Sequence, residues 1–405
     1  MAMLLPMGLI SCSDDQKVGG WEDPDVPRLE ELNLSRAEAE VLDNLNRFGF
    51  DMMHDISANY SDVYESDKTG GNISVSPLSA GLALAMVANG VTEADAAKIS
   101  EMLYCDNLAD LNTLSNKLIR SLTYKEDITV RLANSMWYRD KFEITEAYKQ
   151  LLRDVFCSQS FSAPFDETTK DLINGWCSDK TQGLIGHVID NINDNTLIYY
   201  INAMYAAGKW ADPFSVSATK PERFKGRESN VEVAMMHDVR SRLYADRENY
   251  TAVKLAFTDK KASMIFLLPD EGISADELLG QLTYDEFSDM RQHMRYQSLN
   301  LALPRFKIEL AGNLSNSLIR LGLPAETNLR NIGINENVSL PAKQFTYTEI
   351  DEEGAKAAAV TSTQVDTTAL PDENVDLTFD RPFLYFICDD TTGCILMSGC
   401  VNNIR

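Results

Sequence analysis

The chain has 405 residues, of which 44% are hydrophobic, and its 61 acidic and 37 basic residues give a net charge of −24. The apolar content is sufficient for a sizeable core. So negative a chain would be repelled by nucleic acid, by anionic membrane surfaces and by heparin-type cofactors, and we exclude these as partners.

Residues 1–11 form a short apolar run that stops at Ser11, directly before Cys12. This run resembles a bacterial lipoprotein signal, with cleavage before Cys12 and lipid on its sulfur. The acidic residues that follow are similar to the export tags of surface lipoproteins in the Bacteroides group. No Lys or Arg precedes the run, so a disordered apolar N-terminus is the alternative.

We therefore expect an exported protein whose only contact with a membrane is a lipid anchor. Its location would be the outer membrane or cell surface, or the extracellular or periplasmic space. Residues 12–34 would form a tether, and residues 35–405 a single domain.

The other six cysteines are scattered and stand mostly in apolar surroundings, which favours buried free thiols. Export would also permit a bridge between Cys388 and Cys394. The four histidines each stand alone, without the spacing of a metal site, and the usual nucleophile and phosphate-binding motifs are absent. We predict no enzyme activity, no catalytic residue, no metal and no cofactor.

Two serines follow a short apolar strand in the first quarter of the chain. A helix is predicted to begin earlier, at Ser35, which stands at capping-box spacing before Glu38. The segment Ser76-Pro77-Leu78-Ser79 then leads from the strand into a second helix. Taken alone, Ser76 and Ser79 would be helix caps or satisfied core hydroxyls.

A continuous apolar run from Leu197 to Ala206, which includes Asn202, predicts a strand buried on both faces. It leads into Gly208-Lys209-Trp210. Further along, a strand is predicted around Pro304 and Arg305.

Near the C-terminus, Glu352-Glu353-Gly354 precedes Ala355-Lys356-Ala357-Ala358-Ala359 and a run of small and β-branched residues that reaches Leu370. Read with the period of a strand, one face has only small or β-branched residues, and the other has both charges, Lys356 and Asp366. The segment could enter a sheet with the first face buried and the second solvated. It could also be an exposed linker.

These blocks, together with Arg381-Pro382-Phe383 and Gly393, resemble the serpin family in order from about residue 40 to residue 405. The resemblance implies an α+β single domain with three β-sheets, about eight or nine helices, and an exposed reactive-centre loop at about residues 352–379. A target endopeptidase would cleave this loop and remain attached as a covalent acyl-enzyme while the loop inserts into the main sheet. The protein would thus be a suicide-type inhibitor, acting as a monomer.

The same resemblance assigns residues to three regions. Ser76 and Ser79 belong to the shutter, beneath the sheet that opens, and Trp210 to the breach, where the loop enters. The remaining shutter and breach residues are Asn202, Arg305, which would pair with Glu352, and Gln344, where the family commonly has a histidine. The hinge, which enters the sheet first, comprises Glu352, Glu353, Gly354, Ala355, Lys356, Ala357, Ala358 and Ala359.

The family register places the cleaved bond at Thr368–Ala369, with Ala369–Leu370 as the alternative. Neither Lys nor Arg lies near this bond, which favours elastase-like serine or papain-like cysteine endopeptidases.

The rival function is a non-inhibitory serpin-fold binding or structural protein. The small hinge residues favour inhibition, since extra volume in a packed sheet costs about 1–3 kcal/mol per residue. Before cleavage, Ala355 is expected at the exposed base of the loop. Lys356, where many serpins have an acidic residue, is expected to face solvent.

Overall fold

The computed structural model describes residues 32–64, 70–122, 128–193, 195–258, 260–355 and 374–405. These residues form ten α-helices and seventeen β-strands. The helices are α1 (Arg36–Ala58), α2 (Tyr60–Val63), α3 (Pro77–Ala88), α4 (Glu93–Met102), α5 (Leu108–Leu122), α6 (Glu146–Phe156), α7 (Glu167–Lys180), α8 (Ala275–Gln281), α9 (Tyr284–Gln292) and α10 (Ser315–Leu321). The strands are β1 (Ile73–Val75), β2 (Ile128–Arg139), β3 (Ser158–Ala163), β4 (Ile198–Lys209), β5 (Lys220–Lys225), β6 (Asn230–Asp246), β7 (Tyr250–Ala256), β8 (Ala262–Pro269), β9 (Arg295–Pro304), β10 (Phe306–Asn313), β11 (Thr327–Asn328), β12 (Asn337–Val338), β13 (Lys343–Ile350), β14 (Gly354–Ala355), β15 (Val375–Thr378), β16 (Phe383–Asp389) and β17 (Ile395–Val401).

Helices α1 and α3 begin where the sequence predicted. Ser35 caps α1 in a capping box, with its hydroxyl accepting from the Glu38 N–H at 3.2 Å and the Glu38 carboxylate accepting from the Ser35 N–H at 2.7 Å. Ser76 caps α3, and Pro77 occupies the first helical position, where its missing N–H costs nothing. Helix α3 is buried on almost every side, which explains its nearly uniform apolar composition.

The α+β fold is confirmed. A six-stranded sheet has the order β10-β13-β14-β4-β2-β3, and a two-stranded ribbon joins β11 and β12. The other strands form a nine-stranded sheet in which β6 pairs with β5, β7 and β9 along its length. Strand β6 thereby joins two regions, one containing β1, β17, β16, β8 and β7, and the other containing β9 and β15.

The main core packs α1 and α3 between the sheets, and a smaller cluster lies between α7 and the six-stranded sheet. Leu32 and Leu34, which the sequence assigned to the tether, pack against the main core. Within the described ranges, no helix combines the length and apolar character needed to cross a bilayer.

Candidate functional site

The hinge begins inside the six-stranded sheet. Strand β14 lies between β13 and β4 and is antiparallel to both, with Gly354 opposite Lys209 and Ala355 opposite Gly208 and Ile350. Ala355 is 3% exposed. The expectation that Ala355 lies at an exposed base was therefore wrong, because the backbone of the hinge already has strands to pair with on both sides.

A tight turn delivers the chain from β13 into β14. The Asp351 carboxylate accepts N–H donors from Glu353 at 2.8 Å and from Gly354 at 3.1 Å, and the Asp351 N–H donates to the Gly354 carbonyl at 3.0 Å. Gly354 has φ +150°, and a Cβ there would lie 2.1 Å from the Gly208 carbonyl oxygen. Only glycine permits this close approach between the hinge and β4.

The breach, formed by Trp210 and Arg305, fastens this turn to the top of the sheet. The Trp210 indole N–H donates to the Asp351 carbonyl at 3.0 Å, and its backbone N–H donates to the Glu353 carbonyl at 2.9 Å. The Trp210 ring stacks on Phe257 with 5.1 Å between ring centroids. Trp210 is therefore placed to stabilise the point at which the loop enters the sheet.

Glu352 is the charged anchor of the turn. The Arg305 guanidinium donates to its carboxylate at 2.5 Å, and the Thr219 hydroxyl donates to the same oxygen. Burial would raise the pKa of Glu352, but the hydrogen bonds from Arg305 and Thr219 outweigh it and hold that pKa below its usual value. Glu352 is thus ionised and paired at neutral pH.

The shutter, formed by Ser76, Ser79, Asn202 and Gln344, lies where α3 meets the sheet. The Ser79 hydroxyl is hydrogen-bonded to the Asn202 side chain on β4, whose amide N–H donates to Asn134 on β2 at 2.6 Å. The Ser76 hydroxyl donates to the Leu396 carbonyl at 2.7 Å. The Ser79 contact therefore ties α3 to β4 on one side of the hinge, and the Ser76 hydroxyl ties α3 to β17 of the nine-stranded sheet.

Gln344 ties the same helix to the strand on the other side. Its amide oxygen accepts the Ser76 N–H at 2.9 Å, and its amide N–H donates to the Ser76 carbonyl at 2.8 Å. A glutamine satisfies both groups at once, which a single imidazole nitrogen cannot do. The N-terminus of α3 therefore holds both β4 and β13, the two strands between which the hinge lies.

A cleft continues from β14 along the gap between β4 and β13. In the described part of the chain, these two strands pair by backbone hydrogen bonds only through β14, and beyond it they approach each other to within 8 Å between Cα atoms. Beneath the sheet, a small apolar cleft is lined by residues of α3 and α10 and by Asn202 and Gln344. Above the sheet, a second small cleft is lined by Cys177, Ile201 and Phe345. The two clefts share Tyr200, Asn202, Pro341 and Lys343, so they meet between β4 and β13.

The outer face of this sheet is covered over much of its area. Helix α7 packs Trp176 and Cys177 onto that face, where Tyr347 of β13 is 5% exposed. The expectation that the second face of an inserted loop would be solvated is wrong for its central part. The cause is a helix packed on the sheet, which the loop sequence alone does not reveal.

Several predicted site residues lie outside the described residues. These are Cys12, Lys356, Ala357, Ala358, Ala359, Thr368, Ala369 and Leu370. The described chain does supply the two ends of the loop. Ala355 is held between β13 and β4, and Asn374 leads into β15, which pairs in parallel with β9.

Cys388 and Cys394 are both buried and are not bridged to each other, and most of the other described cysteines are also buried. Burial raises the pKa of Cys388 to about 11, so this thiol is protonated and unreactive at neutral pH. In the ranges that the structure covers, His, Cys, Asp and Glu side chains form no group able to hold a metal ion.

Sequence reasoning missed four contributors to the site: Asp351, Thr219, Phe257 and Asn134. Asp351 could have been found, because Asp at the first position of a turn with Gly at the fourth is a type I signature. Thr219 and Asn134 hydrogen-bond to partners at least 68 residues away in the sequence, and Phe257 lies opposite Trp210 in a β-bridge. No local sequence signal identifies these three residues.

Comparison with known proteins gives consistent results. The family model described as "Serpin (serine protease inhibitor)" matches residues 43–404. The leukocyte elastase inhibitor of Equus caballus is 27% identical over 83% of this chain and 93% of its own. The crystal structure of the thermophilic serpin Tengpin in the native state aligns at a TM-score of 0.82, with 26% identity, 94% of this chain and 98% of that chain. Human thyroxine-binding globulin complexed with its hormone aligns at 0.81, covering 91% of this chain and 100% of that chain, with 22% identity.

Proposed function

Because the chain belongs to the serpin family, we propose that it is a suicide-type inhibitor of endopeptidases, without catalytic activity of its own. The observation that carries the proposal is β14, where Gly354 and Ala355 pair on both sides within the six-stranded sheet. The likeness to thyroxine-binding globulin concerns the fold alone, so the choice between inhibitor and binding protein depends on the hinge and the gap ahead of it.

The existing register defines how a cleaved loop would insert. Continued from Ala355 opposite Gly208, it would bring residue 365 opposite Ile198, the first residue of β4. The loop would then fill the gap along the whole of β4. About ten residues would gain strand partners, and at about 1 kcal/mol net per hydrogen bond this supplies on the order of 10 kcal/mol.

The side chains of the loop suit this register. Ala357 would lie opposite Ala206 and Thr348, and Ala359 opposite Met204 and Thr346, all of which are buried. Larger loop residues would have to displace this packing, at about 1–3 kcal/mol each. The second face would carry Ala358 against Tyr347, beneath α7, where a small residue is again required.

In the proposed mechanism, the endopeptidase attacks the loop as a substrate and forms an acyl-enzyme at Thr368–Ala369, or at Ala369–Leu370. The freed hinge then extends β14 and carries the attached enzyme with it. The energy of insertion distorts the active site of the enzyme, whose catalysis depends on precise placement of the reacting groups. Ser76, Ser79, Asn202 and Gln344 would have to exchange partners as β4 and β13 separate.

We propose elastase-like serine or papain-like cysteine endopeptidases as targets. The residues from Val365 to Leu370 are small, β-branched or apolar apart from Asp366, and the relative named leukocyte elastase inhibitor is consistent with this preference. The deciding experiment is gel electrophoresis in denaturant of the protein mixed with a panel of such enzymes. We expect a covalent complex with at least one of them, whereas clean cleavage without any complex would contradict inhibition.

We also propose export, with lipid on Cys12 and the inhibitor displayed as a monomer at a cell surface. The support is the apolar run that ends at Cys12. Replacing Cys12→Ser should move the protein from the membrane fraction to the soluble fraction. A protein that is soluble with Cys12 intact would contradict the anchor.

A further inference from the structure

A chain of hydrogen bonds links β4 to the helices beneath it through two tyrosines that are not among the shutter residues. The hydroxyl oxygens of Tyr200 on β4 and Tyr148 on α6 lie 2.9 Å apart, and the Tyr148 hydroxyl donates to the Met86 carbonyl of α3 at 2.7 Å. A carbonyl can only accept, so Tyr148 uses its single proton on Met86, and Tyr200 is the donor in the bond between the two phenols. We call Tyr200, Tyr148 and the Met86 carbonyl the tyrosine relay.

The surroundings of Tyr148 are shaped to hold its hydroxyl in this position. Met86 lies in the last turn of α3, where helix carbonyls lack their full set of backbone partners. A Cβ at Gly90 would lie 2.9 Å from the Tyr148 hydroxyl oxygen, so the phenol occupies space that only a glycine leaves open. Burial raises the pKa of both tyrosines. Both hydroxyls therefore keep their protons at neutral pH, and the relay stays intact.

The relay borders the gap that an inserting loop must enter. Tyr200 lines both of the clefts that meet between β4 and β13. It stands two residues beyond Asn202 in the direction in which a lengthened β14 would run along β4. Asn202 is bonded to Ser79 of α3, and Tyr200 is bonded to α6. Strand β4 is therefore tied to the helices at a second point, deeper in the gap than the shutter serine.

Opening of the gap separates the two ends of the relay. Helix α3 packs in the main core and is bonded through Ser76 to β17, and β13 is joined through β10 to β9 of the same nine-stranded sheet. Strand β4 must therefore be the one that moves. Neighbouring strands lie about 4.8 Å apart, so an inserted strand holds β4 and β13 about 9.6 Å apart, where they now approach to within 8 Å. One bond of the relay breaks, whether α6 stays with α3 or follows β4, because a hydrogen bond does not survive such a displacement.

We propose that the tyrosine relay is a latch that keeps the gap between β4 and β13 closed in the intact protein and must break before the loop can insert, an inference that rests on the proposed function. The complete relay exists in the intact form and is lost in the inserted form. An ordinary core contact is present in both forms. Removing the Tyr148 hydroxyl should therefore weaken the intact protein more than the inserted one, and it should make the gap open more often.

The test uses Tyr148→Phe, which removes both bonds of the relay and keeps the aromatic ring. The probe is a synthetic peptide with the sequence of residues 355–365, offered to the intact protein, with its uptake followed by electrophoresis under native conditions. We expect uptake to be about tenfold faster in the variant, the order of effect that one lost hydrogen bond has on a rate. The melting temperature of the intact variant should fall by about 3–6 °C, and that of the cleaved variant by less than half as much.

The matched control is Tyr64→Phe, which removes a comparable hydroxyl away from the gap. Tyr64 is 4% exposed, as Tyr148 is, and its hydroxyl donates to the Ser74 carbonyl of β1 at 3.1 Å. Neither group lines the clefts between β4 and β13. The control should lower the melting temperatures of the intact and cleaved forms by similar amounts and leave the rate of peptide uptake unchanged.

Uptake by Tyr148→Phe at the unmodified rate, or equal falls in the melting temperatures of its intact and cleaved forms, would overturn the latch. The same acceleration in Tyr64→Phe would also overturn it, because general loosening of the fold would then explain the effect. An unmodified protein that takes up no peptide and gains no stability on cleavage would instead refute insertion, and with it the inhibitory function. Failure of the latch alone leaves both of those properties in place.

Discussion

Replacing Ala355→Glu tests the burial of the hinge. Ala355 is 3% exposed between Gly208 and Ile350, so a carboxylate there would be buried without a partner. The cost is several kcal/mol. The few hydrogen bonds that the two residues of β14 form contribute about 1 kcal/mol each, which in total is less than this cost. The hinge should therefore leave the sheet while the body of the protein stays folded.

The consequence appears after cleavage, when the loop must pass the same position to insert. An added barrier of about 3 kcal/mol slows insertion by about two orders of magnitude. The acyl-enzyme then hydrolyses first, and the protein becomes a substrate. The assay measures the number of moles of inhibitor consumed per mole of enzyme inactivated. This number should rise at least tenfold, and the barrier predicts a rise of roughly 10- to 100-fold.

The matched control is Asn374→Asp, which adds one carboxylate at the other end of the loop. Asn374 is exposed, and its side-chain oxygen, which an aspartate retains, accepts the Ser298 hydroxyl. The control should inhibit as well as the unmodified protein. If Ala355→Glu also inhibited with unchanged stoichiometry, insertion through β14 would be refuted.

Three further predictions concern the shutter, the breach and the cleaved bond. Gln344→His should make stability depend on pH, because a buried neutral imidazole has a lower pKa in the folded protein than in the unfolded chain. The melting temperature should therefore fall as the pH drops below about 6.5. Equal melting temperatures at pH 5 and pH 8 would contradict this prediction. Glu352→Gln should destabilise the protein at pH 7 by roughly 1–2 kcal/mol, less than for a wholly buried pair because Arg305 is partly exposed. Since the pKa of Glu352 is lowered on folding, its contribution is present above the unfolded pKa of about 4.5 and lost as the pH falls, so urea unfolding of the two proteins should converge near pH 3. Mass spectrometry of the fragment released by the target enzyme should find Ala369 or Leu370 as its first residue, and a fragment beginning before Val365 would show that the register is wrong.

Much of the site could be predicted because its signals are local. The Glu-Glu-Gly-Ala sequence identifies the hinge, and Ser76-Pro77 identifies the start of α3. Contacts between distant segments have no such local signal, and only the family resemblance grouped Ser76, Ser79, Asn202 and Gln344 in one region. The partner of Ser79 is Asn202, 123 residues away, and Gln344 bonds the backbone of Ser76 across 268 residues. Neither pairing has a sequence pattern of its own.

The position of the hinge within the sheet, and the packing of α7 over that sheet, also could not be predicted from the sequence. Period-2 alternation put Ala355 on the buried face of the loop, and Ala355 is buried. Alternation carries no information on how far the chain has entered the sheet before cleavage, because that depends on the separation of β4 and β13. It also does not reveal that α7 lies over Tyr347, since the helix and the strand are distant in sequence.

The central claim is that the gap between β4 and β13 accepts the loop as a strand. Its most direct test is the melting temperature of the intact protein and of protein cleaved between Val365 and Leu370. An ordinary nick lowers stability, whereas an inserted strand adds buried hydrogen bonds along β4. We predict that cleavage raises the melting temperature by tens of degrees, and an unchanged or lower value would contradict the account.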